Sequence, residues 1–201
     1  MLQRYKSIWP VTIVLKPAFL GAVMKHAKNT PPGANPAKLK YLRSDLRRAR
    51  GFYGVDLEWP PVFPFDTLLA MRVLASISVT DSDFLAKSST ALWQVGWMKK
   101  QLITPENIAS ALDPILGSAR VAVHLAAAET NEIRLLLQNN TEEATELGAF
   151  GMPWIRVQTE TESECYFGSD RFEAIAFQLG LEWKGPNPGA VIKGQAVKSV
   201  L

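Results

Sequence analysis

Cysteine and histidine are scarce in this chain of 201 residues. The single cysteine, Cys165, excludes an intrachain disulfide and a zinc site built from several cysteines, and it favours a reducing compartment inside the cell. The two histidines, His26 and His124, lie far apart in sequence and lack the spacing of a metal-binding pair. The sequence therefore provides no grounds for a metal site or for a Ser-His-Asp triad.

Long hydrophobic runs are also missing. Lys, Arg or Asp interrupts every candidate, and the continuous apolar run at residues 11–15 is far too short to span a membrane. The first residues are basic, but no apolar segment of a secretory signal follows them. Apolar residues make up 47% of the chain and charged residues 20%, values that are typical of a folded globular protein rather than a disordered one.

Secondary-structure patterns divide the chain into three parts. Residues 1–36 contain a helix end, a β-branched run at 11–15 that predicts a strand buried on both faces, and a loop rich in proline. Residues 148–201 predict a hairpin of strands 154–157 and 164–167, a helix over 172–181 and an extended tail. Between these parts the patterns predict helices, over residues 41–52, 64–78, 82–98, 105–116, 119–128 and 130–140. We therefore predict an α/β domain interrupted by a large helical insertion at residues 37–147.

Two short segments in the last third predict a cradle for an anion and a peptide. The first is Gly-Ala-Phe-Gly-Met-Pro at residues 148–153, where the bond before Pro153 is a candidate cis peptide. The second is Tyr-Phe-Gly-Ser-Asp-Arg at residues 166–171, where a strand ends at a glycine and a helix follows. Ser169 or Asp170 is the predicted N-cap, and Asp170 with Glu173 has the spacing of a capping box. An ordinary strand, turn and capped helix is the alternative for the second segment.

The densest positive charge lies at the start of the helical region. Arg43, Arg47 and Arg50 share one helix face, which favours a solvated surface over a nucleic-acid interface. Lys38 and Lys40 stand where the proline loop meets the helix, a position from which a cation can bind the carboxylate of a ligand. We predict no nucleic-acid partner.

The order of these motifs resembles that of the kappa-class glutathione transferases. The strand, the Asn-Thr-Pro-Pro-Gly loop, the Pro-Ala-Lys sequence, the helical region and the two cradle segments follow one another as in that class over nearly the whole chain. The class has a thioredoxin-like fold, which it shares with the 2-hydroxychromene-2-carboxylate isomerases. The resemblance thus implies a thioredoxin-like domain formed by residues 1–36 and 148–201, with the inserted helical domain at residues 37–147.

The resemblance also implies a glutathione site. Asn29 and Lys38 would hold the glycyl end of the tripeptide, and the backbone of Met152, before the cis-proline Pro153, would pair with its cysteinyl residue. Ser169 and Asp170 would hold the γ-glutamyl end. Glutathione offers two carboxylates, an ammonium group and an extended peptide backbone, so each part has a matching group in the chain.

One part of the family pattern has no counterpart. The class begins with a strand and a Ser-Pro-Tyr turn that activates the glutathione thiol, whereas this sequence starts at what matches the end of the following helix. Ser7 lies at the wrong end of that helix to replace the missing serine. We therefore expect a truncated form of a longer protein, with no catalytic residue and impaired activity.

The sequence and the resemblance are compatible with three functions. They are a glutathione transferase that conjugates electrophiles or reduces peroxides, a glutathione-dependent isomerase of aromatic acids, and a noncatalytic glutathione-binding protein. The resemblance further implies a homodimer and a location in mitochondria, peroxisomes or the cytoplasm.

Overall fold

A computed structural model describes residues 1–189. Helices dominate this part of the chain, and its two strands form one small sheet. The helices are α1 (Leu2–Tyr5), α2 (Leu20–His26), α3 (Pro36–Tyr53), α4 (Leu68–Thr80), α5 (Leu85–Trp97), α6 (Pro105–Leu116), α7 (Ser118–Ala127), α8 (Asn131–Glu146) and α9 (Phe172–Gln178), and the strands are β1 (Trp154–Gln158) and β2 (Ser163–Phe167). None of the described helices is both long and apolar enough to cross a membrane. The predicted tail at residues 190–201 lies outside the described part.

The strands form the predicted hairpin. β1 and β2 are antiparallel, with Trp154 opposite Phe167 at one end and Gln158 opposite Ser163 at the other. A polar loop connects them, and within it the backbone N–H of Thr159 donates to the carbonyl of Glu162 over 2.9 Å. The hairpin therefore places the end of the first cradle segment beside the start of the second.

The prediction of a buried strand at residues 11–15 is wrong. This segment forms neither a helix nor a strand, and Val14 is 73% exposed. An extended segment becomes a strand only when a neighbour pairs with its N–H and C=O groups. Within the described residues β1 pairs only with β2, so residues 11–15 have no partner there.

Helices α4 to α7 surround the largest hydrophobic core. Val73 and Ile77 of α4 are fully buried, and they belong to one cluster with Ile108 and Leu112 of α6 and Leu92 of α5. Helix α4 also packs against α8, which leads to the first cradle segment. The predicted helices are present, but α4 begins at Leu68 rather than residue 64, after a cis peptide between Phe63 and Pro64. That residues 37–147 form a separate inserted domain stays a prediction.

An aromatic cluster joins the first residues of the chain to those that follow α9. The ring of Tyr5 stacks on Trp183 with 5.1 Å between centroids, and the ring of Trp9 lies 4.1 Å from that of Tyr5. The Tyr5 hydroxyl donates to the Gly185 carbonyl over 2.7 Å, and Trp9 Nε1 donates to the Glu182 carbonyl over 3.0 Å. These contacts bring the two ends of the described chain into one packed unit.

Candidate functional site

The first cradle segment is a tight loop between α8 and β1. The Met152–Pro153 peptide bond is cis, and the carbonyl of Pro153 accepts a hydrogen bond of 3.1 Å from the backbone N–H of Gly168. Gly151 is buried, and a Cβ atom there would lie only 2.8 Å from the ring of Phe167. Glycine at this position therefore lets the two cradle segments approach each other closely.

Asn29 reaches this loop from the end of α2. Its side-chain Nδ2 donates a hydrogen bond of 2.8 Å to the carbonyl of Phe150. The residue is exposed, and its Oδ1 accepts no hydrogen bond within the described chain. The structure thus places the predicted asparagine against the predicted loop, 121 residues away in sequence.

The predicted cap of α9 is wrong. The N-cap residue is Arg171, which makes no side-chain capping bond, and the helix begins at Phe172. Ser169 and Asp170 instead form a turn before the helix. The turn follows Gly168, whose φ of +103° is a backbone conformation that favours glycine. The carboxylate of Asp170 is mostly exposed and pairs with Arg171 at 3.0 Å. Both predicted ligands are therefore accessible, but not as helix caps.

Tyr53 is a contact that the sequence did not predict. It is the last residue of α3, and its hydroxyl donates to the carbonyl of Ser169 over 3.0 Å. The only signal in the sequence is its place before Gly54, which ends the helix with φ +56°. Through this bond α3 supports the turn that carries Ser169 and Asp170.

Lys38 lies in the first turn of α3, away from these contacts. Asn35 caps the helix by accepting hydrogen bonds from the backbone N–H groups of Ala37 and Lys38, over 3.0 and 3.1 Å. The Lys38 side chain is exposed and lines an open groove of about 460 Å³ with Pro32 and Tyr41. No hydrogen bond or ion pair among the described residues joins the Lys38 side chain to the other predicted ligands.

Aromatic side chains form a surface beside the cis-proline loop. The Phe150 ring lies 4.6 Å from that of Phe167 and 5.8 Å from that of Trp154, measured between centroids. Both phenylalanines are partly exposed, and the buried Nε1 of Trp154 has no acceptor in the described part of the chain. An apolar surface of this kind suits an aromatic or otherwise apolar group of a ligand.

A Ser-His-Asp arrangement does occur, in the helical region. His124 Nδ1 lies 2.8 Å from Ser76 Oγ, and His124 Nε2 lies 2.9 Å from Asp81 Oδ2. However, Ser76 is only 5% exposed and His124 only 1%, so no substrate can reach the hydroxyl. The three side chains therefore form a buried polar network that links α4 to α7, not a hydrolytic site.

Comparison with known proteins first defines the class. The family model described as a DSBA-like thioredoxin domain matches residues 1–180. A solved structure of a 2-hydroxychromene-2-carboxylate isomerase superposes with a TM-score of 0.72 at 20% sequence identity, over 89% of this chain and 85% of that one. The predicted thioredoxin-like fold with added helices is therefore confirmed.

Curated relatives then define the family. Glutathione S-transferase kappa 1 of Homo sapiens is 33% identical over 198 residues, 95% of this chain and 88% of the relative. The protein of the same name from Rattus norvegicus is 32% identical over 195 residues, 94% of this chain and 86% of the relative. The one from Caenorhabditis elegans is 32% identical over 183 residues, 88% of this chain and 81% of the relative. The chain belongs to the kappa-class glutathione S-transferases, as its motifs predicted.

Proposed function

We propose that this protein binds glutathione and transfers it to electrophilic substrates or uses it to reduce peroxides. The observation that carries the proposal is that Asn29 and Gly168, the residue before Ser169 and Asp170, both donate hydrogen bonds to the cis-proline loop, over 2.8 and 3.1 Å. Membership of the kappa class supports it, because the relatives carry the name glutathione S-transferase.

The cysteinyl part of glutathione is assigned to the backbone of Met152. Met152 and Pro153 lie immediately before β1, whose second edge has no strand partner within the described residues. An extended peptide can add to such an edge through its main-chain N–H and C=O groups. The edge therefore suits the backbone of a tripeptide rather than a compact ligand.

The two ends of glutathione are assigned to charged and polar side chains. Asp170 would pair with the γ-glutamyl ammonium, and Ser169 would hold the neighbouring carboxylate. Asn29 and Lys38 would hold the glycyl carboxylate. Opposite charges at the two ends fix the direction in which the peptide lies.

With a chloroaromatic electrophile, the transfer is a substitution at the aromatic ring. The glutathione thiolate forms a carbon–sulfur bond at the carbon that bears chlorine, and chloride leaves with the electrons of the broken bond. The aromatic surface of Phe150, Trp154 and Phe167 lies beside the loop where the sulfur would sit. We assign substrate positioning to this surface and assign activation of the sulfur to no side chain.

Calorimetric titration with glutathione tests the site. Asp170→Ala should weaken binding by tenfold or more, since it removes a charge-assisted contact worth roughly 1.5–3 kcal/mol. Asp83→Ala is the matched control, because Asp83 is also exposed but lies far along the chain on the turn before α5. Equal affinity of wild type and Asp170→Ala would refute the assignment.

Activity assays separate the three candidate functions. Conjugation of 1-chloro-2,4-dinitrobenzene is expected of a transferase, and turnover of 2-hydroxychromene-2-carboxylate is expected of an isomerase. Glutathione binding without either reaction would identify a noncatalytic binding protein. The transferase is favoured here because the curated relatives are named for that activity.

We also propose that the protein is a homodimer. We further propose that it is located in a reducing compartment, and the resemblance implies mitochondria, peroxisomes or the cytoplasm. Helix α3 supports the dimer, since none of its 18 residues is buried and its Tyr41 is 64% exposed. A helix of this length ordinarily buries an apolar stripe. The unpaired state of Cys165 is consistent with a reducing compartment.

A further inference from the structure

A cavity of about 320 Å³ lies between α2, α4 and α8. Apolar side chains form much of its wall, contributed by Phe19 and Ala22, by Leu68 of α4 and by Leu137 of α8. Arg72 and Arg134 also line it. The cavity contains none of the residues assigned to glutathione, so it is a separate feature of the fold.

Arg72 has no hydrogen-bond partner among the described residues. Its side chain is only 21% exposed, and the nearest carboxylate oxygen, Glu129 Oε1, lies 3.7 Å from its Nη1. The other oxygen of Glu129 pairs more closely with Arg134, at 2.6 Å, so Glu129 is shared between the two arginines. The Arg72 guanidinium therefore lines the cavity with one long ion pair to Glu129 and with no hydrogen bond among the described residues.

The other charged groups at the cavity do not satisfy Arg72. Glu142 accepts a hydrogen bond of 2.8 Å from Gln138, and neither of these side chains bonds to Arg72. His26 lies at the exposed edge. A partly buried guanidinium is costly unless an acceptor satisfies it, and a carboxylate matches its paired donors best.

We propose that this cavity binds a small carboxylic acid with an apolar body. The carboxylate pairs with the guanidinium of Arg72, and the hydrocarbon part packs against the side chains of Phe19, Leu68 and Leu137. The combination of apolar side chains with a small number of polar and charged groups is typical of sites for small organic ligands. The site acts independently of glutathione, since it shares no residue with the cradle.

Titration with octanoate and with 1-octanol tests the proposal, because the two probes differ mainly in the charge of the head group. Octanoate should bind the wild-type protein at least tenfold more tightly than octanol. Arg72→Met keeps an unbranched side chain but removes the charge, so it should weaken octanoate binding at least tenfold and leave octanol binding unchanged. Arg47→Met, an exposed arginine on α3, is the control for net charge.

Two results would overturn the proposal. They are equal affinity of wild type and Arg72→Met for octanoate, and no octanoate binding by the wild type. If Arg72→Met fails to fold, Ala22→Phe gives a second test, since a ring from α2 fills the cavity and should abolish octanoate binding. Retained binding in that variant also refutes the site. Asp170→Ala should bind octanoate like the wild type, which separates this result from the test of the glutathione site.

Discussion

Asp81 receives two hydrogen bonds from α7 at the end of α4. His124 Nε2 and Arg120 Nη1 each lie 2.9 Å from one of its carboxylate oxygens. Burial disfavours the charged carboxylate, but the hydrogen bonds from His124 and Arg120 and the charge of Arg120 outweigh that cost and lower the pKa of Asp81 below its ordinary 3.8. Because an ionised Asp81 accepts from Nε2–H, the other ring nitrogen, Nδ1, accepts from the hydroxyl of Ser76.

The network predicts a pH dependence of stability. The pKa of Asp81 is lower in the folded state than in the unfolded state. Ionised Asp81 therefore contributes fully to the stability of the fold above its ordinary pKa, and this contribution is lost as pH falls through the lower folded pKa. We expect Asp81→Asn to be less stable than wild type at neutral pH and to lose less of its stability between about pH 5 and pH 3. Urea unfolding at a series of pH values measures this.

Asp83→Asn is the control for the acid series, because Asp83 is exposed and only two residues away. The stability of Asp83→Asn should depend on pH in the same way as that of the wild type. If Asp81→Asn loses stability on acidification as steeply as the wild type, the network does not contribute as described.

At the scale of secondary structure, the close contact of the two cradle segments depends on Gly151. The hydrogen bond between the Pro153 carbonyl and the Gly168 N–H brings the segments together, and the Phe167 ring covers the position where a Gly151 side chain would be. Any larger residue must displace that ring from its place beside Phe150. The cis-proline loop and the hairpin are therefore packed together as one unit.

Gly151→Ala should reduce both stability and glutathione affinity. The added methyl group would lie 2.8 Å from a Phe167 ring carbon, and overpacking of this kind typically costs 1–3 kcal/mol, so we expect a loss of about 1 kcal/mol or more. Thermal unfolding and calorimetric titration with glutathione measure the two effects.

Gly51→Ala supplies the contrast. A Cβ atom there meets nothing within 4 Å, and alanine in a helix interior is favoured over glycine by roughly 0.5–1 kcal/mol, so this variant should be slightly stabilised. Unchanged stability and glutathione affinity in Gly151→Ala would show that the Phe167 ring moves aside without cost.

At the scale of the whole molecule, α3 stands out because none of its 18 residues is buried. It carries Tyr41 and Phe52 in exposed positions, although aromatic side chains are among the largest apolar groups a chain can bury. If α3 forms the proposed dimer interface, Tyr41→Asp should shift the protein from dimer to monomer, because association would bury an unpaired carboxylate. Sedimentation equilibrium measures the mass directly.

Phe177→Asp is the matched control for this experiment. Phe177 lies on α9 and is 89% exposed, so the same substitution there should leave the dimer intact. A wild-type protein that is monomeric at micromolar concentration, or a dimer that Tyr41→Asp does not weaken, would contradict the assignment of α3 to the interface.

The sequence by itself determined the features that depend on neighbours along the chain. The patterns predicted the hairpin of strands 154–157 and 164–167 and the helix over residues 105–116, and the order of the motifs predicted the family. Local patterns succeed here because hairpin and helix hydrogen bonds join residues close in sequence. The start of α9 at Phe172 was predicted correctly, but its cap was not, because Ser169 and Asp170 lie in the turn after Gly168 and Arg171 is the N-cap residue.

Only the tertiary structure decided which distant side chains meet. Asn29 and Phe150 are 121 residues apart, and Ser76 and His124 are 48 apart, so no local pattern could have paired them. The position of the Arg72 guanidinium at the cavity likewise depends on how α2, α4 and α8 pack. Residues 11–15 show the same limit, because their β-branched pattern favours an extended backbone but cannot supply the neighbouring strand that pairing requires.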